Sequence, residues 1–234
     1  MAKTRSRFRR WHIWLGWAIA IPMLLWTISG VVMVWKPIEE VRGEHLMADP
    51  APMRLAAPMI PPRLEGVPLS SLSLQPRAGG PRWVVTLQDG TTRLADPASG
   101  ALMPRLSAAD AAREVTARYT GQAAVASVTR TDPKDPPLDL RRPIAAWRVR
   151  MSDGAHFYVD AGSGEVIARR TSWWRFYDLM WGLHIMDPAG REDTHNPFVI
   201  GFGLLALVST VLAIILLPMA KTRNRKKAAA RAAD

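Results

Sequence analysis

Residues 11–35 read WHIWLGWAIAIPMLLWTISGVVMVW, a run without a single Asp, Glu, Lys or Arg. A helix rises about 1.5 Å per residue, and about 20 residues cross the hydrocarbon of a bilayer, so the run is long enough to span. A second charge-free run, PFVIGFGLLALVSTVLAIILLPMA at residues 197–220, is long enough too. A core helix of a soluble protein would be shorter and would carry a polar stripe. The first run also exceeds the apolar stretch of a secretory signal, and no clear small-x-small site follows it, so it reads as a retained anchor.

The charges sit just outside these runs. Lys3, Arg5, Arg7, Arg9 and Arg10 precede the first; Lys221, Arg223, Arg225, Lys226, Lys227 and Arg231, against Asp234, follow the second. Each tail carries +5 of the chain's formal +11, which leaves the middle close to neutral. Basic flanks stay on the cytoplasmic side. The expected topology is therefore a bacterial inner-membrane protein with both termini cytoplasmic and residues 36–196 periplasmic. The high charge then reflects topology and contact with the lipid bilayer, and nucleic acid is excluded as a partner. There is no cysteine, which removes disulfides, thiolate ligands and covalently attached haem.

Working inward from the first run, Lys36-Pro37 ends the helix, and a proline-rich connector with an irregular, mostly extended reading follows to about Pro68. Beyond it the sequence repeats. RWVVTLQDGTTRLADPASGAL from Arg82 lies over AWRVRMSDGAHFYVDAGSGEV from Ala146 at one fixed offset, matching Trp83 to Trp147, Asp89-Gly90 to Asp153-Gly154 and Ser99-Gly100 to Ser163-Gly164. Alternating apolar and polar residues around Asp-Gly predict a hairpin in each copy. Between the copies, Ser107 is a candidate N-cap for a helix carrying Ala108, Ala111, Val115 and Tyr119 and stopping at Gly121; a short strand, Ala123 to Thr129, comes next.

The fold class predicted is a membrane protein with two transmembrane α-helices flanking a small periplasmic α+β domain. The expected segments are a basic tail (1–10), first span (11–36), connector (37–68), α+β domain (69–170), interfacial aromatic segment and acidic loop (171–195), second span (196–220) and second basic tail (221–234). The order SAADAAREV, strand, loop, AWRVRMSDGAHFYVDAGSGEVI resembles a PepSY domain. The flanks RRWHIWLGWAIAIPMLLWTISGVVMVW and FYDLMWGLHIMD…NPFVIGFGLLAL resemble the helices of PepSY-associated transmembrane proteins.

That resemblance implies a cofactor. Larger members include siderophore-iron reductases that hold b-type haem through histidines, and the matching positions here are His12 in RRWHIWLG and His184 in WGLHIMD, with His195 as a further candidate outside either motif. This chain has two spans where those have four or more. A helix of about 25 residues is roughly 37 Å long, so His12 and His184 fall on opposite sides of the bilayer and cannot ligate one iron within a chain. Haem b would need a homo-oligomer or a membrane redox partner, and His12, Gly16, Ala20, Thr27 and Gly30 form a stripe that suits close helix contact. Both histidines also read as interfacial residues within the tryptophan belt formed by Trp11, Trp14, Trp35, Trp173, Trp174 and Trp181. His45 and His156 read as surface or strand residues.

The loop His184, Asp187, Glu192, Asp193, His195 holds metal-ligand residue types at irregular spacing, so the metal is left unknown. Its acids read more simply as neighbours of a helix start, with Asn196 at the N-cap and Pro197 at N1. The chain lacks a nucleophile elbow, a His-Glu-x-x-His motif, a phosphate loop and a dinucleotide fingerprint, so no catalytic residue is assigned. Two readings follow. One is a haem-b-linked electron-transfer or accessory subunit for reduction of iron, siderophore or another periplasmic acceptor. The other is a non-redox periplasmic module that binds or regulates a peptidase or other envelope protein.

Overall fold

The computed structural model describes residues 2–53 and 58–231. They form two compact units, Met1–Trp35 with Tyr177–Asp234 and, between them in sequence, Lys36–Phe176.

In the first unit, α1 (Ala2–Val34) and α5 (Pro197–Arg231) pack together. Contacts of His12 with Ser209 and of Trp26 with Phe202 show that they run antiparallel. Their span-length apolar parts are Ser6–Val34 and Pro197–Pro218. Most large apolar side chains on them face outward: Trp17 is 77% exposed and Leu204 60%. A helix that is apolar all round and still uncovered is suited to lipid, where its backbone bonds are satisfied internally and its side chains need no partner. The inward stripe of α1 runs through His12, Gly16, Ile19, Met23, Ser29 and Gly30, whereas Ala20 and Thr27 face outward. The predicted small-residue stripe is thus corrected at two positions. Steps of four residues overshoot a 3.6-residue turn, so a buried face must alternate threes and fours.

The second unit carries two antiparallel sheets. After the one-turn α2 (Ile38–Val41), β1 (Leu69–Arg77), β2 (Gly80–Leu87) and β3 (Thr92–Ala95) form one sheet in that order. Then come α3 (Ala108–Thr116) and the second sheet, β4 (Val125–Arg130), β5 (Ala146–Met151), β6 (His156–Asp160) and β7 (Val166–Arg170). The helix α4 (Ser172–His184) follows, its residues from Tyr177 onward belonging to the first unit.

The internal repeat holds down to hydrogen bonds. Trp83 pairs with Ala95 and Thr86 with Thr92, as Trp147 pairs with Val159 and Arg150 with His156. Asp89 accepts the N–H of Thr91 and Asp153 that of Ala155. Gly90 and Gly154 adopt φ of 81° and 84°, a region that costs a residue with a Cβ strain energy, which is why both turns are Asp-Gly. The copies differ in which face they bury. Val84 and Leu94, a cross-strand pair, enter the main core; their equivalents Arg148 and Tyr158 lie on the opposite face from Val149 and Phe157, which enter it from the second copy. Because side chains alternate with period two, one register serves both faces.

Ala111 and Val115 of α3 complete that core. Ser107 caps α3, accepting from Asp110 N–H while Asp110 accepts from Ser107 N–H, a reciprocal capping box. The helix stops at Thr116, short of the predicted Gly121. Tyr119 lies beyond it, its ring edge-on to Phe157 and its hydroxyl donating to Asp153.

The far face of the second sheet is covered by the proline-rich segment before β5. Leu140 buries against Ala146, Tyr158 and Ala168. Beside it the Asp139 carboxylate accepts from Tyr158 O–H at 2.6 Å and His156 Nδ1 at 3.0 Å, and its carbonyl accepts from Arg170 Nε. Burial works against the carboxylate, but the two hydrogen bonds outweigh it and hold its pKa at about 2. A carboxyl depressed in the fold stabilises it fully above its unfolded pKa and loses that contribution as pH falls toward 2. Asp139→Asn should therefore lower stability by about 2 kcal/mol near neutral pH. The difference in melting temperature from the parent chain, followed in detergent, should narrow as pH drops from about 5 to about 2.

Candidate functional site

The span residues leave few polar side chains to work with, and the buried ones are serines. Ser29 on α1 is 1% exposed and Ser209 on α5 is 6% exposed, and each faces a histidine. In hydrocarbon an unpaired polar group is costly, so such pairs carry more information than they would in a soluble core.

His184 closes α4 and sits against α1. Its Nδ1 lies 3.1 Å from both Ser29 Oγ and the Trp26 carbonyl, while Ser29 Oγ donates to the same carbonyl at 2.9 Å. With the serine proton committed to that carbonyl, Nδ1 is satisfied by carrying a proton of its own, which leaves the lone pair on Nε2. The imidazole stacks on the Trp26 ring, centroids 4.7 Å apart and planes inclined by 21°, and Trp26 also meets Phe202 of α5. Gly30 makes the seat possible: a Cβ there would stand 3.2 Å from His184 Cε1. The glycine that the sequence offers for helix association is occupied instead by this ring.

His12 mirrors the arrangement at the other end of the helix pair, its Nδ1 3.4 Å from Ser209 Oγ. Measured along α1, its position and the Ser29–Gly30 seat are roughly 26 Å apart. The two histidines thus stand at separate places, as the sequence implies, and neither meets the other. His195 is different: its side chain is exposed and its backbone N–H donates to Asp193.

The acidic loop is a structural brace. Asp187 accepts backbone N–H groups of Gly190, Glu192 and Asp193 at 3.0–3.2 Å, and these bonds hold its pKa below the ordinary carboxylate value. Asp178, 5% exposed, pairs with Arg191 at 2.8 Å, and Trp181 Nε1 donates to the Arg191 carbonyl. Met186 and Arg191 take positive φ, strain that these anchors offset. Asn196 finishes the brace: Nδ2 donates to the carbonyls of Ile185 and Asp193, while Oδ1 accepts from Phe198 and Val199 N–H, capping α5. Among the described residues, no three His, Asp or Glu side chains converge in a metal-ligand arrangement. Ser29, Ser209 and Gly30 as histidine partners escape sequence reasoning, because the pairs lie 155 and 197 residues apart.

These features define a membrane-anchored α+β protein whose span helices hold two serine-bound histidines. The model of the PepSY-associated TM region matches residues 9–233, and the chain belongs to that family. No curated protein and no solved structure matches it.

Asn196→Ala removes two donors and the helix cap together. It should cost about 2 kcal/mol, seen as a lower melting temperature of the detergent-solubilised chain, with Asn196→Asp recovering only the cap.

Proposed function

We propose that this PepSY-family membrane protein is a haem-b-linked electron-transfer or accessory subunit, serving reduction of iron, a siderophore or another acceptor outside the inner membrane. The observation that carries the reading is the Nδ1 anchor of His184. Histidines that ligate a metal commonly donate Nδ1–H to a carbonyl or other acceptor, which fixes the ring and raises the basicity of Nε2. The Trp26 carbonyl and Ser29 provide that support here, and at His12 Ser209 Oγ lies 3.4 Å from Nδ1.

His184 and His12 would each offer one imidazole nitrogen to a bound haem. Haem bound there would supply one-electron carriage, its potential tuned by the histidines that hold it and the dryness of the surroundings. Any further protein ligand would come from another copy of the chain or a membrane partner, because the separation of His12 and His184 along α1 keeps both from holding one group. The protein's own work is to fix the imidazole planes, select the tautomer through the serine–carbonyl pair and exclude water with Trp26 and Phe202. The basic tails orient the chain with both termini in the cytoplasm and the α+β unit in the periplasm.

A reduced-minus-oxidised visible spectrum of the chain purified from haem-replete cells tests this. A b-type signal is expected, lost in His184→Ala and accompanied by at least about tenfold weaker haem retention in Ser29→Ala. A folded, colourless preparation, with melting behaviour equal to that of the variants, would sink the proposal.

A further inference from the structure

The α+β unit contains a cleft that the histidine sites do not use. It opens where the end of β1, the last turn of α3, the start of the connector and β7 meet, as two adjoining cavities of about 220 Å3 and about 380 Å3 that share Pro50, Pro76, Arg77, Glu114 and Arg118. The smaller end is lined by three arginines, Arg77, Arg118 and Arg169. The larger end is walled mainly by short apolar residues, among them Ala51, Pro52, Met53, Ala78 and Ala117.

The three arginines are not equivalent. Arg77 is fixed in place: Nε donates to the Ser163 carbonyl, Nη1 to the Pro76 carbonyl and Nη2 to Gln75 Oε1, each at 2.8 Å. All three acceptors are neutral, and burial pushes its pKa below the ordinary arginine value. Arg118 and Arg169 are half-buried along the cleft. Three acids also line the two cavities. Glu114 has both carboxylate oxygens committed to Ala78 N–H, at 3.1 and 3.0 Å, and burial pushes its pKa upward. Glu165 and Asp49 are exposed on the rim, where water solvates them. Glu114 attracts both Arg77 and Arg118, but among the described residues the Arg118 and Arg169 side chains make no hydrogen bond or ion pair, so their donors are open to a ligand.

We infer that this cleft binds a small organic acid, its carboxylate held by Arg118 and Arg169 against the fixed Arg77 and its apolar body lying along the Pro50–Met53 and Ala117 wall. Guanidinium groups match a carboxylate by paired, charge-assisted hydrogen bonds, and a site of a few hundred Å3 with apolar walls and a few converging polar groups is the usual form of a small-molecule pocket. The inference is independent of the histidines, because every residue in it belongs to the α+β unit.

The test is isothermal titration of the full chain in lipid nanodiscs, with empty nanodiscs subtracted, using 4-phenylbutyrate, its neutral amide and inorganic phosphate. The carboxylate should bind saturably and at least about tenfold more tightly than either the amide or phosphate. The double variant Arg118→Gln, Arg169→Gln should lose at least about tenfold in affinity at unchanged melting temperature, because neither side chain holds the fold together. Equal binding of acid and amide, phosphate binding as tightly as the acid, an unaffected double variant, or no binding at millimolar concentration would each overturn the assignment.

Discussion

Hydrocarbon gives no hydrogen bonds, and that constraint organises the span unit. Every polar group on α1 or α5 that turns inward needs a partner within the protein, and each partner found fixes geometry elsewhere. Ser29 satisfied against the Trp26 carbonyl presents a fixed edge to His184. Ser209 faces His12, Oγ 3.4 Å from Nδ1. Thr27 and Thr210, which face outward, bond back to carbonyls four residues earlier and so need no partner at all. At the entrance to α5, Asn196 satisfies the free N–H groups of the first turn. The helix positions and the histidine tautomer are thus consequences of one rule, that a polar atom in lipid must be bonded inside the chain.

The α+β unit obeys a different logic, in which a duplicated hairpin is used twice with opposite faces inward. The register and both turns are kept because Asp-Gly and Asp-x-x-Ser-Gly specify them locally. What changed is the pattern of side chains around those turns, so that Val84 and Leu94 point to the shared core in one copy while Val149 and Phe157 do so in the other. The face released in the second copy carries Arg148 and Tyr158, and the Asp139 clamp covers it. One hairpin template therefore supports a closed core on one side and a polar, hydrogen-bonded cover on the other.

Local signals were readable in advance and distant ones were not. The spans, the Asp-Gly turns, the Ser107 cap and the Asn196-Pro197 start of α5 each depend on a few adjacent residues, and their physics is contained in those residues. The end of α3 is not legible locally, because Tyr119 keeps helical spacing while its ring and hydroxyl are claimed by Phe157 and Asp153. Among the acids of the loop after His184, read from the sequence as neighbours of a helix start, Asp187 accepts three backbone N–H groups and Asp193 one, bonds that only the folded loop reveals. His156, read as an ordinary strand residue, turned out to hold Asp139 across seventeen positions. The arginine cleft has no sequence signature, since its arginines come from β1, the turn after α3 and β7.

The orientation of the chain in the membrane underlies the proposed role of both histidine sites. Because the chain has no cysteine, single cysteines can be placed at will. Lys3→Cys, Lys227→Cys and Lys134→Cys, probed in cells whose outer membrane alone is permeabilised with a membrane-impermeant maleimide, read the sidedness directly. Labelling of Lys134→Cys alone, with the two tails reacting only after the inner membrane is disrupted, is the predicted result. Labelling of either tail before disruption, or protection of position 134, would contradict the account.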